Sequence, residues 1–188
     1  MRNRAALICL ILLALLDDLI GLVAPVDFTD HSLAFIPHFC FIGLMLIVYA
    51  RTLTDRILIS ALTGILTDYF FMSTFPKHFL LYTIMGICIG FFQTWMEESD
   101  RIKATCIMAA IFLIELIPYA WNVMADSTIL SLQSWLIYHG ILTFSLNGLA
   151  VILLIYIFNV YGRYEAIQRI RSQRIEKNRY RNMRLKRK

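Results

Sequence analysis

The sequence predicts an all-α membrane protein, a bundle of six transmembrane helices, and three observations carry that reading. Hydrophobic residues make up 59% of the 188 residues, charged residues only 16%, and the mean hydropathy is +0.67. That balance is far from a soluble domain's. Six apolar runs, about 5–26, 33–50, 57–73, 79–96, 104–121 and 134–161, suit the roughly 17–25 residues that cross a hydrocarbon core of about 30 Å. Drawn as spans, they leave seventeen of the eighteen Lys and Arg residues on one side. These are Arg2 and Arg4, Arg51 and Arg56, Arg101 and Lys103, and eleven residues after Gly162. Only Lys77 falls on the other side. Short cytoplasmic loops carry the Lys/Arg excess, so both termini are expected in the cytoplasm.

The first run follows Arg2 and Arg4 and precedes Pro25, Asp27 and Asp30. No small-residue cleavage site follows it, so it is expected to stay as a span. The second run contains Pro37 and His38, and the fifth contains Glu115 and Pro118. Both prolines should loosen backbone hydrogen bonding at their level. Gly64 and Asp68 lie on the third run, which ends on aromatic residues. On the fourth, Gly86 and Gly90 have the GxxxG spacing that permits close helix approach, within the chain or with a partner. His139, near the start of the sixth run, is expected at the headgroup interface, as are Trp95, Trp121, Trp135, Tyr49, Tyr69 and Tyr161 at span ends. Cys9, Cys40, Cys88 and Cys106 sit inside spans without CxxC spacing and read as packing residues. Connections are short, so consecutive helices should be antiparallel neighbours. The expected organisation is one membrane domain over 1–161 and a basic tail over 162–188.

Ionisable groups inside the spans form a pattern. Counted from the nearest basic edge, Asp17 lies thirteen residues in, His38 thirteen, Asp68 twelve and Glu115 twelve. At 1.5 Å per residue, all four sit about 18–20 Å from that edge. Asp18 thickens the layer. A charge at depth costs at least about 2.5–3.5 kcal/mol, so these groups should face the bundle interior or a wet cleft. The competing reading places the same acids at the outer headgroups.

The tail carries eleven basic residues against Glu165 and Glu176. They include Arg163, Arg169, Arg171, Arg174, Lys177, Arg179 and Arg181. The tail should continue the last helix, with Tyr164, Ile167 and Ile170 as a narrow apolar stripe. Each basic residue near an anionic leaflet gains about 1 kcal/mol, so anionic lipid is the first expected partner and a cytosolic protein the second. Nucleic acid is not expected, because the aromatic platforms that stack on bases are missing.

The sequence has no P-loop, HExxH or GxSxG motif and no paired Ser/His/Asp set. The histidines His31, His38, His78 and His139 are scattered, so neither a metal nor an organic cofactor is expected and no catalytic residue can be named.

Ile36-Pro37-His38-Phe39, the turn Arg51 to Arg56, and Ala61 to Phe71 with its G-x-x-x-D pair Gly64 and Asp68 resemble the rod-shape-determining MreD family. The resemblance covers about 1–161 and does not include the long basic tail. It implies a bacterial inner-membrane scaffold of the cell-elongation machinery, which builds peptidoglycan. It also implies work with the bitopic protein MreC, the actin-like MreB, and a RodA-type glycan polymerase with its transpeptidase. The family is similar in fold to the substrate-binding subunits of energy-coupling-factor vitamin transporters, so a vitamin-binding subunit is the alternative function. Such subunits dock through A-x-x-x-A on the first helix, whereas Ala5, Ala6 and Ala14 lack that spacing here.

Overall fold

The computed structural model describes residues 3–23, 35–70, 76–125 and 131–185, with side chains between 5 and 175 among them. Every regular element among the described residues is a helix. In order these are α1 (Asn3–Val23), α2 (Phe39–Val48), α3 (Leu53–Phe70), α4 (Lys77–Cys88), α5 (Gln93–Glu98), α6 (Asp100–Met124), α7 (Leu132–Trp135) and α8 (Ile141–Leu185). A 3-10 turn at Ile89–Phe92 joins α4 to α5, and a π turn at Leu136–Gly140 joins α7 to α8. Four of the resulting rods are long and apolar enough to cross a membrane: Ala5–Val23, Lys77–Glu98, Asp100–Met124 and Leu132–Ile175. The chain is a multi-pass membrane protein. Helix α3 is 18 residues long but carries Asp55, Arg56 and Asp68.

The centre of the bundle is α2. Its sequence, FCFIGLMLIV, has no polar face, and every residue from Cys40 to Val48 is buried. A helix apolar all round belongs in a protein core or a membrane interior; here α1, α3, α4, α6 and α8 all pack against it. The face of α1 turned inward is the stripe Ala6, Leu10, Ala14 and Asp17, all buried, at the i, i+4 recurrence of one helix side. Its other side, including Leu12 and Leu19, is exposed. Exposed leucines need no cover in a bilayer, since lipid tails are as apolar as Leu.

Here the structure departs from the expected second span. Among its described residues, 35–50, that run is helical only from Phe39 to Val48, ten residues, or about 15 Å. That is half of the roughly 30 Å hydrocarbon thickness. Pro37 explains the late start, because the residue before a proline is pushed out of the α region and the proline supplies no N–H. Residues 35–38 are non-helical backbone, and Ile36 and His38 are bonded to the last helix. A second departure concerns His139, which is buried rather than facing headgroups.

Candidate functional site

The helix that starts in mid-bundle creates the chemistry of the site. The first N–H groups of a helix have no partner within it and carry the positive end of its dipole. Away from water, each such group needs an acceptor. Asp17 on α1 supplies both carboxylate oxygens: Phe39 N donates to Oδ1 at 2.9 Å and Cys40 N to Oδ2 at 2.8 Å. The acid is therefore a cap reaching from one helix to the next.

The non-helical residues before α2 are held from α8. Ile36 N donates to Thr143 Oγ1 at 3.2 Å, and His38 N donates to Asn147 Oδ1 at 3.0 Å. The Asn147 amide nitrogen donates in turn to Ile36 O at 2.8 Å and to Thr143 O at 2.9 Å. One buried amide thus satisfies backbone groups on both sides of Pro37. The His38 ring reaches the other way, with Nε2 2.6 Å from Glu115 Oε1 on α6. Side-chain exposures of 6% and 15% make this an interior contact. Asp17, His38, Glu115 and Asn147 so tie α1, α6 and α8 to the start of α2.

Asp68 repeats the device on the next pair of helices. His78 N donates to its Oδ1 at 3.1 Å and Phe79 N to its Oδ2 at 2.8 Å, while the His78 ring lies 2.8 Å from Oδ1. One turn earlier, Gly64 makes the approach possible. A Cβ there would lie 2.6 Å from both His78 O and Phe79 Cα, which are backbone atoms. The G-x-x-x-D spacing therefore has a mechanical meaning: the glycine admits the start of α4 and the aspartate caps it. Aromatic contacts join the two caps, since Tyr82 lies 5.6 Å from the His78 ring and 5.1 Å from Phe41 on α2.

At the opposite end, Arg56 of α3 closes α2. Its Nε donates to Val48 O at 3.3 Å, and its Nη2 donates to Tyr49 O at 3.1 Å and to Gln93 Oε1 at 2.7 Å. A cation at the negative end of a helix dipole is the favourable arrangement. Gly86 of α4 and Gly90 of the 3-10 turn that follows it face this same neighbour. A Cβ on Gly86 would strike Ser60, and one on Gly90 would occupy the place of the Arg56 guanidinium. The GxxxG pair thus serves a contact within the chain.

Asp18 is half-buried and joins neither cap among the described residues. Arg163, Arg169, Arg171 and Arg174 are exposed along α8. The side chains of Lys177, Arg179 and Arg181 lie outside the described ones. Sequence reasoning passed over Asn147, Thr143 and the inward role of Arg56. Asn147 offered a signal, as an amide inside the apolar stretch Ile141–Ile157. Arg56 offered none, because a basic residue at a span end already has a topological reading.

Comparison with known families finds that the model described as rod shape-determining protein MreD matches residues 1–164. Neither the curated proteins nor the solved structures give a match.

Proposed function

Because the chain belongs to the MreD family of rod shape-determining proteins, we propose that it is a non-enzymatic membrane scaffold and regulator of the bacterial cell-elongation complex. In this reading it sits in the inner membrane and crosses it six times, the short α2 forming only part of the second crossing, with both termini in the cytoplasm. It receives an MreC-like bitopic protein on its flank. Through that protein it is coupled to MreB and to a RodA-type polymerase with its transpeptidase. The bundle is of the kind found in energy-coupling-factor substrate-binding subunits, with the membrane domain ending near residue 161.

The observation that carries the reading is where the intramembrane polar groups spend their hydrogen bonds. Asp17, Asp68, Asn147 and Arg56 hold backbone ends of neighbouring helices. A binding subunit would turn such groups toward a small molecule. Ala6 and Ala14 on α1 are buried against the bundle, which also speaks against an alanine docking face for a transport partner.

Two experiments test the proposal. Depletion of this chain from a rod-shaped cell should round it without creating a vitamin requirement, and an MreC-like protein should co-purify. A vitamin-uptake defect with normal shape would overturn the scaffold reading in favour of the transporter subunit. For orientation, a reporter active only outside the cytoplasm should work when fused after Lys77 and fail after Lys188. The opposite pattern would refute the assigned topology.

A further inference from the structure

We propose that the cleft between α2, α6 and α8, at the basic end of the bundle, binds one anionic phospholipid by its headgroup phosphate. The cleft has a volume of about 580 Å³, within the roughly 300–1,000 Å³ typical of ligand pockets. Its walls are ordered in two tiers. Ile47 on α2 and Ile155 and Phe158 on α8 line the part nearer the bundle's middle; Arg51, Lys103 and Arg169 line the outer part. From Ile47 to Arg51, three residues past the end of α2, and from Phe158 to Arg169 along α8, the apolar lining comes before the cationic. From Ile155 to Arg169 the helix rises about 21 Å. A soluble anion would need only the outer tier, whereas a phospholipid fills both.

Lys103 makes this a built site. It is buried, with 7% exposure. It is fixed by a 3.0 Å bond to Asp100 Oδ1 and lies 5.4 Å over the Tyr49 ring. Asp100 is itself held by Asn159 Nδ2 at 2.8 Å. An ammonium has three donors, and Asp100 takes one of them. The carbonyls ending α2 would repel an anion, but the Arg56 guanidinium already holds those of Val48 and Tyr49. Glu165 also lines the cleft, 3.9 Å from Arg169, so Arg51, Lys103 and Arg169 stand against two carboxylates, Glu165 and the Asp100 that holds Lys103. Basic pockets between transmembrane helices are a recurrent way of holding phosphate headgroups. The site requires only that this end of the bundle meets a headgroup layer, so it stands apart from the scaffold role and from the choice of leaflet.

The test uses the full chain in phosphatidylcholine nanodiscs doped with phosphatidylglycerol, with retained lipid counted by native mass spectrometry after extraction. The wild type should keep one phosphatidylglycerol. Arg51→Gln with Arg169→Gln should weaken retention about thirtyfold, and Arg169→Gln alone, on an exposed side chain, about fivefold. Arg171→Gln with Arg174→Gln, outside the cleft, should leave retention unchanged. Equal retention in the Arg51/Arg169 variant and the wild type would overturn the proposal. So would a loss that follows Arg171 and Arg174, which would mean diffuse attraction to the tail. Displacement by glycerol phosphate or by an acidic peptide at equal concentration would overturn it too, in favour of a soluble anion or a protein partner.

Discussion

The two helical hairpins α1–α2 and α3–α4 use the same cap and differ in what else holds them. In each, a carboxylate on the first helix accepts two N–H groups from the start of the second: Asp17 from Phe39 and Cys40, Asp68 from His78 and Phe79. The α3–α4 pair is otherwise local. Gly64, Gly86 and Gly90 let its helices come together, and Asp68 reaches a residue only ten positions on. The α1–α2 pair depends on distant parts of the chain. The start of α2 is also held by Asn147, 109 residues after His38, and by Glu115, 77 residues after it. Close backbone approach thus secures one hairpin, and buried polar side chains from the second half of the chain secure the other. Without the second half, α2 would leave N–H and C=O groups unpaired in hydrocarbon, at several kcal/mol each.

Substitutions that add volume should therefore break α3–α4, and those that remove polar groups should break α1–α2. The largest effect is expected from Gly86→Leu with Gly90→Leu. Both side chains would enter space held by Ser60 and Arg56, displacing the cap on α2 as well. Insertion should survive because hydropathy rises, while thermal stability in detergent should fall by more than the roughly 1–3 kcal/mol of ordinary overpacking. Wild-type stability with loss only of partner binding would show instead that these glycines face a partner.

Next comes Asn147→Leu, which leaves Ile36 O without its donor and His38 N without its acceptor. Each unsatisfied buried group costs about 1–3 kcal/mol. The loss should appear as labelling of a cysteine placed at Ile36, with α3–α4 unaffected. Labelling of α3–α4 to the same extent would erase the distinction between the hairpins.

A smaller contrast sets Gly64→Ala against Gly43→Ala. The first would meet backbone of α4, which yields only if the helices part, and should cost about 1–3 kcal/mol. The second meets the Leu13 side chain, which can rotate away, and should be nearly neutral in the same melting experiment. Equal costs would place the tight contact elsewhere.

Much of this was legible in the sequence, for a physical reason. Burying charge in a bilayer is costly, so Asp17, His38, Asp68 and Glu115 stood out against apolar runs, and counting put each twelve or thirteen residues from a basic residue. Their partners did not stand out. Asp17 and Asp68 each meet two backbone N–H groups of the following helix, and His38 meets Glu115, 77 residues further on, pairings that residue spacing does not encode. The half-length of α2 was masked because Phe35 and Ile36 continue the apolar run, so that hydropathy joins them to the helix across Pro37 and His38. Hydropathy reports where backbone is covered, and it is silent on whether that backbone is helical. Pro37 was the available clue, and its consequence depends on Asn147 and Thr143, which supply the bonds the helix would have made.

Amide hydrogen exchange at the two helix starts tests most directly whether the intramembrane carboxylates are helix caps. The full chain in nanodiscs would be compared as wild type, Asp17→Ala and Asp68→Ala. Asp17→Ala should speed exchange at Phe39 and Cys40 while His78 and Phe79 keep their protection, and Asp68→Ala should do the reverse. If neither variant changes exchange at the amides its carboxylate holds, the carboxylates are not caps and the account of this layer is wrong.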